Sequence, residues 1–346
     1  MSGASTTAPA TVVIDYPADD RVAAMRIGGM SVLERTLREA ARAGTTRALV
    51  RADVGRLPTL PTLALTVEVL APGAAVPADA VALPGDLVAG VEVTDAASGR
   101  RAMRALLRSC RRSYDGVADR YVIRYMSLPL TGLLTHTPIT PNHVTIANIV
   151  VGLASCWYAS RGTHLGFLLA GALMILQLVL DSSDGELARI RHRHSRAGMI
   201  LDNVGDDVVD NLFVGALGYG LGGIWAWLGI AACLGRGAVA IMTYVEIAWA
   251  GHPGDVMAFR WWFDRDDDTP TERFNARVTP MTVVRAFGRR DLYGLLFGVT
   301  CVVGLPMVGC GLGVAISTGS FAMGATHVVM RIKQRNARRA AAAARR

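Results

Sequence analysis

The chain has 346 residues, enough for two domains of ordinary size, and its apolar fraction of 51% with a mean hydropathy of +0.34 excludes a typical soluble protein. The formal charge of +8 is carried almost wholly by arginine, with Lys333 the only lysine, and the basic residues gather at the ends of apolar segments. That distribution suits a membrane surface and argues against nucleic acid as a partner, because the basic runs lack interleaved aromatics on a soluble face.

Met1 to Pro9 lacks a basic segment followed by an apolar core, so no cleavable signal peptide is expected and insertion falls to internal helices. Short apolar strands are predicted at Thr11–Ile14, Arg47–Val50 and Leu65–Leu70, around an amphipathic helix at Ser31–Ala43. This pattern makes residues 1–98 a soluble α/β domain. The stretch from Gly28 to Leu37 resembles the segment after the nucleotide loop of sugar-phosphate nucleotidyltransferases. That family carries a glycine-rich phosphate loop after its first strand, and here Ile14-Asp15-Tyr16-Pro17 stands in its place. Without free backbone amides to cradle a triphosphate, the expected domain is degenerate, nucleotidyltransferase-like and non-catalytic.

Residues 99–138 read as a basic helical connector along the cytoplasmic interface. Six apolar segments follow, near 143–160, 164–181, 199–222, 224–250, 291–312 and 314–331, so residues 139–335 are expected to form an all-α bundle of six transmembrane helices. Turns are expected at Gly220–Gly223 and Gly309–Gly313, and a basic tail at 336–346. Arginine crowds the loop Arg189–Arg196, the polar stretch near 252–290 and the tail, which by the positive-inside rule makes that side cytoplasmic, together with both termini. The expected location is the inner (cytoplasmic) membrane. Cys110, Cys156, Cys233, Cys301 and Cys310 show neither CxxC spacing nor a paired framework and read as buried thiols.

Chemistry is concentrated in Asp181-Ser-Ser-Asp184-Gly185-Glu-Leu-Ala188-Arg189 and Gly198-Met-Ile-Leu-Asp202-Asn-Val-Gly-Asp206. On continuous helices, Asp181 and Asp184 share one face, and Asp202 and Asp206 share another. Four converging carboxylates at 4 Å would repel by about 4 kcal/mol per contact at an effective dielectric of 20. Each also carries a membrane penalty of roughly 2.5–3.5 kcal/mol. Divalent cations supply the compensation, and an oxygen-only ligand set favours Mg²⁺ or Mn²⁺ over zinc. His192 and His194 in the basic loop read as a solvated cationic face near lipid headgroups rather than as metal ligands. The competing bland reading of the aspartates is an ion-paired helix end beside Arg189, Arg191, Arg193 and Arg196. Small residues at Gly185, Ala188 and Gly198 leave room for a nucleotide against helix backbone, with Arg189 available for a phosphate or a neighbouring carboxylate.

Together these positions match DxxDGxxARx8GxxxDxxxD, and the chain is thereby similar to the CDP-alcohol phosphotransferases. Thr140-Pro141-Asn142-His143-Val144-Thr145 also resembles that family's TPNxxT entry to the first span, and the likeness covers about 120–335. The junction from Asp115 to Ser127 looks like that of members fused to a nucleotidyltransferase-like domain. The resemblance implies two divalent cations held by Asp181, Asp184, Asp202 and Asp206, with Asp206 also accepting the proton of the incoming hydroxyl. It implies that Gly185, Arg189 and Ser195 contact the CDP donor, that Ala188 and Gly198 form the same nucleotide surface, and that Asn142 and Thr145 flank it. The reaction would release CMP as an acceptor alcohol takes the phosphoalcohol group, with at least one alcohol a lipid in phospholipid-type synthesis; a homodimer is usual in the family.

Two enzyme readings stand at this point, one with a CDP-diacylglycerol-type donor and one with a soluble donor such as CDP-inositol. A third class, a cation transporter or membrane scaffold, would bind ions without chemistry, but no internal repeat supports alternating access. Asp207, Asp210, Arg236 and Glu246 read equally as acceptor-binding groups or as structural pairs within a polar bundle. The 254–290 stretch, with Trp261-Trp262-Phe263 and Asp264–Asp268, is a surface connector or an interfacial loop closing over the site.

Overall fold

In the computed structural model the described residues are 9–16, 21–51, 58, 62–71, 73–112, 115–193, 195–252, 255–263 and 289–343. The acidic half of the expected closing loop, the last residues of the tail, Pro17 and His194 therefore lie outside the described residues. The chain divides into two units. The first comprises 1–111, 128–139 and 186–193; the second comprises 112–127, 140–185 and 194–346.

The first unit is built on a four-stranded parallel sheet in which β1 (Thr11–Asp15) lies between β4 (Arg47–Arg51) and β6 (Val81–Pro84), with β5 (Thr66–Leu70) beyond β4. Two antiparallel pairs accompany it: β2 (Arg26–Ile27) with β3 (Met30–Ser31), and β7 (Leu87–Val88) with β8 (Val91–Glu92). Helix α1 (Arg21–Ala24) is one turn, whereas α2 (Val32–Ala43) is capped by Ser31, whose hydroxyl accepts from the Glu34 N–H, and ends at Gly44 with φ 100°. Only glycine adopts that left-handed turn without strain. Val12, Ile14, Leu33, Leu37 and Val50 close the core together with Ala102 and Leu106 of α3 (Ala96–Ser109). Thus the basic helix expected to begin a connector at residue 99 is already packed in the α/β core by its apolar face. Tyr16, at the carboxyl end of β1, is buried with its ring against Gly85.

After a wide helical turn over Asp119–Ile123 comes α4 (Arg124–Leu134), followed by α5 (Pro141–Ser160), α6 (His164–Ile190), α7 (Arg196–Leu221), α8 (Gly223–Trp249), α9 (Arg290–Val302) and α10 (Pro306–Ala343). In the second unit α5 packs on α7, α7 on α8, α8 on α10, and α9 on α10. Phe213 and Phe297 stack at 5.9 Å in its core. Gly152 lets α5 approach α7 closely, since a Cβ there would lie 2.5 Å from a methyl of Val209.

Among the described residues, four helices are long and apolar enough to cross a membrane: α5, α6, α8 and α10 as far as Ala337. The six-span expectation holds only to that extent. Helix α7 has the length, but Asp202, Asp206, Asp207 and Asp210 break its apolar window; α9, at 13 residues, is too short. The turn expected at Gly309–Gly313 is also displaced, because those glycines lie inside α10 and the chain reverses at Val303–Leu305, where Gly304 has φ 78°. The helix starting at Pro306 follows from the ring, which fixes a helical φ and needs no amide donor in the first turn.

Candidate metal and phosphotransfer site

Helices α6 and α7 bring Asp181, Asp202 and Asp206 together, with one carboxylate oxygen from each within 4.8 Å of the others. Asp184, one turn after Asp181, is buried and accepts a 2.6 Å hydrogen bond from the Thr145 hydroxyl of α5. Asp206 accepts from the Asn148 amide at 3.0 Å and from that of Gln177 at 3.5 Å. Three polar side chains from α5 and α6 therefore aim two of the four aspartates.

At the amino-terminal turn of α5, Thr140 and His143 form a reciprocal capping box and Pro141 sits in the first turn, so TPNH is physically a helix-start signal. Ser195 caps α7 by accepting from the Gly198 N–H at 2.9 Å. Gly198 lies so close to Asn142 that a Cβ would stand 2.6 Å from its amide oxygen. Asn142, Ser195 and Gly198 thus form one small patch.

Gly185 is half-buried on α6 in the second unit, whereas Ala188 and Arg189 belong to the first. There Arg189 lines a cavity of about 390 Å³ with Arg35, Glu39 and His192. His192, expected to be solvated, is instead fastened: it packs 3.3 Å from Arg35, and its side chain is only 11% exposed. Arg191 donates to the carbonyls of Leu134 (2.9 Å), Thr135 (3.3 Å), Thr137 (2.6 Å) and Ile139. It serves as a structural clamp after α4.

Sequence reasoning missed Arg290. Its guanidinium pairs with Asp181 at 2.9 Å, Asp210 at 3.1 Å and Asp206, bridging the acidic cluster. Tyr293 donates to Asp210 at 2.6 Å and is itself hydrogen-bonded by Arg236, whose guanidinium lies 4.5 Å from the Tyr293 ring centre. Tyr244 donates to Asp207 at 2.7 Å. The only signal for Arg290 was its place at the start of an apolar run, which did not distinguish it from its neighbour Arg289. Nearby, the Asp119 N–H donates to Asp291 at 3.3 Å; burial, and then the Asp291 carboxylate, push Asp119 up to about 7.

The residues present fit hard divalent cations. The donors are all carboxylate oxygens, one oxygen of Asp202 is buried without a hydrogen-bond partner, and the protein's own guanidinium fills a cation's role between Asp181 and Asp206. Asp181, Asp184, Asp202, Asp206 and Asp210 outnumber Arg236 and Arg290 by three charges when all are ionised.

The sequence profile of the CDP-alcohol phosphatidyltransferase family matches residues 138–305, the stretch that contains all four aspartates. Residues 138–305, just under half of the chain, are thus similar to that family. Among curated relatives, the chain is 33% identical over 147 residues to the bifunctional IPC transferase and DIPP synthase of Thermococcus kodakarensis, covering 42% of this chain and 33% of the relative. It is 32% identical over 145 residues to the protein of that name from Aquifex aeolicus, covering 39% and 32%. With the namesake from Archaeoglobus fulgidus it shares 31% identity over 116 residues, covering 33% and 23%. The chain thus spans about a third or less of the length of these relatives. Within the matched stretch, the acidic cluster and the Asn142–Ser195–Gly198 patch draw on α5, α6 and α7.

Proposed function

We propose that this protein is an integral membrane CDP-alcohol phosphotransferase that moves a phosphoalcohol group from a CDP-alcohol to an acceptor hydroxyl and releases CMP. The observation that carries the reading is the convergence of Asp181, Asp202 and Asp206, with Asp184 held by Thr145, inside the matched domain.

Asp181, Asp184, Asp202 and Asp206 would hold two divalent cations, Mg²⁺ or Mn²⁺. Bound there, the cations would neutralise the donor's pyrophosphate and the charge developing in transfer. Asp206 accepts the proton of the incoming hydroxyl, and Asn148 fixes its carboxylate plane by holding one oxygen. By the family motif, Gly185, Ala188, Arg189, Ser195, Gly198, Asn142 and Thr145 would contact the donor; the absence of a Cβ at Gly198 is what lets Asn142 and Ser195 pack against it. No covalent enzyme intermediate is needed. The site faces the cytoplasm from an inner membrane, and the protein acts as a homodimer.

In the first reading the donor is phosphatidyl-bearing and the product a phospholipid-type molecule. A soluble donor such as CDP-inositol is the second, supported by relatives whose name is IPC transferase and DIPP synthase. The front α/β unit is non-catalytic; the buried Tyr16 ring at the carboxyl end of β1, where its counterparts carry a phosphate loop, supports this.

The test is Mg²⁺-dependent CMP release by the purified chain, supplied separately with CDP-diacylglycerol and CDP-inositol plus mixed acceptor alcohols. Wild type should release CMP with one donor and Asp202→Asn with neither. Release that persists in Asp202→Asn would overturn the assignment of the cluster.

A further inference from the structure

Two helix ends outside the acidic cluster form a second site. On α8, Met242, Val245, Glu246 and Trp249 recur at three- and four-residue intervals and so share one face. On α10, Val328, Arg331, Ile332 and Arg335 do the same, and the two faces enclose a cavity of about 760 Å³. Its walls are apolar and exposed: Val245, Val328 and Ile332 are open, and Trp249 is 88% exposed. Its mouth is charged. Glu246 holds Arg331 at 2.6 Å on one oxygen and His327 at 2.8 Å on the other.

His327 is 1% exposed and fixed from behind by the rings of Phe259, Trp261 and Trp262, whose centres lie 5.2, 5.6 and 6.1 Å away. The Trp261–Phe263 aromatics thus brace this site among the described residues. Arg331 and Arg335 against Glu246 leave one net positive charge, which matches the single negative charge of a phosphodiester.

Depth supports the same occupant. At about 1.5 Å per residue, α10 rises roughly 32 Å from Pro306 to His327, about the thickness of the hydrocarbon core. Arg331 and Arg335 then stand at headgroup level, with the apolar walls beside them. Tyr244, which reaches Asp207, points to the opposite side of α8 from the groove, so this is not the reacting site.

We propose that this groove binds one anionic phospholipid, with its phosphodiester on Arg331 and Arg335 and an acyl chain along Val245, Trp249, Val328 and Ile332. The proposal rests on the membrane reading of the helical unit and is independent of which donor reacts. A general attraction of the basic tail for anionic lipid is worth about fivefold per charge and would act from any face of the helix. The groove requires Arg331 and Arg335 specifically, and Lys333, two residues from each and outside the lining, does not share their face.

The test reconstitutes the full chain in phosphatidylcholine vesicles carrying a minor fraction of either brominated phosphatidylglycerol or brominated phosphatidylcholine. Quenching at Trp249 is read as the difference between wild type and Trp249→Phe. Brominated phosphatidylglycerol should quench Trp249 several-fold more effectively than its zwitterionic counterpart. The preference should fall in Arg335→Gln, vanish in Arg331→Gln/Arg335→Gln and survive in Lys333→Gln, each variant being first shown to retain wild-type helicity. Equal quenching by the two lipids, or equal loss in Lys333→Gln and the double variant, would overturn the proposal. So would Trp249 left unquenched by both, which would place a protein segment or a second copy over the groove.

Discussion

Replacing Arg290 by glutamine tests the electrostatics of the acidic cluster most directly. Oxygens of Asp181, Asp202 and Asp206 lie within 4.8 Å of one another. At an effective dielectric of 20 each ionised pair repels by about 3.5 kcal/mol, so the three pairs amount to about 10 kcal/mol. Arg290 contacts two of these three carboxylates, and an attraction of about 5.5 kcal/mol per contact at 3 Å nearly balances that repulsion. On the proposed function, the guanidinium is therefore a resident cation that an entering divalent ion would have to displace. Arg290→Gln should destabilise the metal-free protein by roughly 3–5 kcal/mol, the range for breaking a buried ion pair, while raising the affinity for Mg²⁺. A tenfold gain in affinity adds about 1.4 kcal/mol of ligand stabilisation at saturating metal. In thermal unfolding the rise in Tm between chelator and Mg²⁺ should then be about 3–6 °C larger in the variant than in wild type. An equal or smaller rise would refute the competition argument, whatever the variant's stability in chelator.

Asn148→Ala removes the amide that holds Asp206 and should raise the Mg²⁺ concentration for half-maximal CMP release about 10–100-fold, with the protein still folded; an unchanged metal titration would show that Asp206 is not held this way. Arg191→Ala removes a donor shared by four carbonyls, of which that of Leu134 keeps Thr137, and should lower stability by roughly 3 kcal/mol in chemical unfolding, more than an exposed arginine would. Asp119 is raised in the fold to about 7 from 3.8, so between those values the folded state binds a proton that the unfolded state has lost. In chelator its contribution to stability is therefore highest below pH 4 and declines as pH rises to about 7; Asp119→Asn should flatten that slope by one proton, measured by unfolding across the range.

Local chemistry made much of the fold legible. Apolar runs of spanning length located α5, α6 and α8, and TPNH announced the start of α5 because a threonine cap and a proline act on their own neighbours. Short apolar runs marked β1, β4 and β5, and the i to i+3 and i to i+4 spacing set the aspartates on helix faces. Of the six expected spans, four have the length and apolarity of a membrane helix among the described residues, whereas α7 carries four aspartates and α9 is 13 residues long. What only the tertiary structure decided was partnership at long range. Arg290 meets Asp206 across 84 positions, Thr145 meets Asp184 across 39, and Arg191 finds its carbonyls more than fifty residues back. Sequence spacing sets the direction of a side chain within one helix, but contact between helices depends on how their faces pack, and no local propensity encodes that distance.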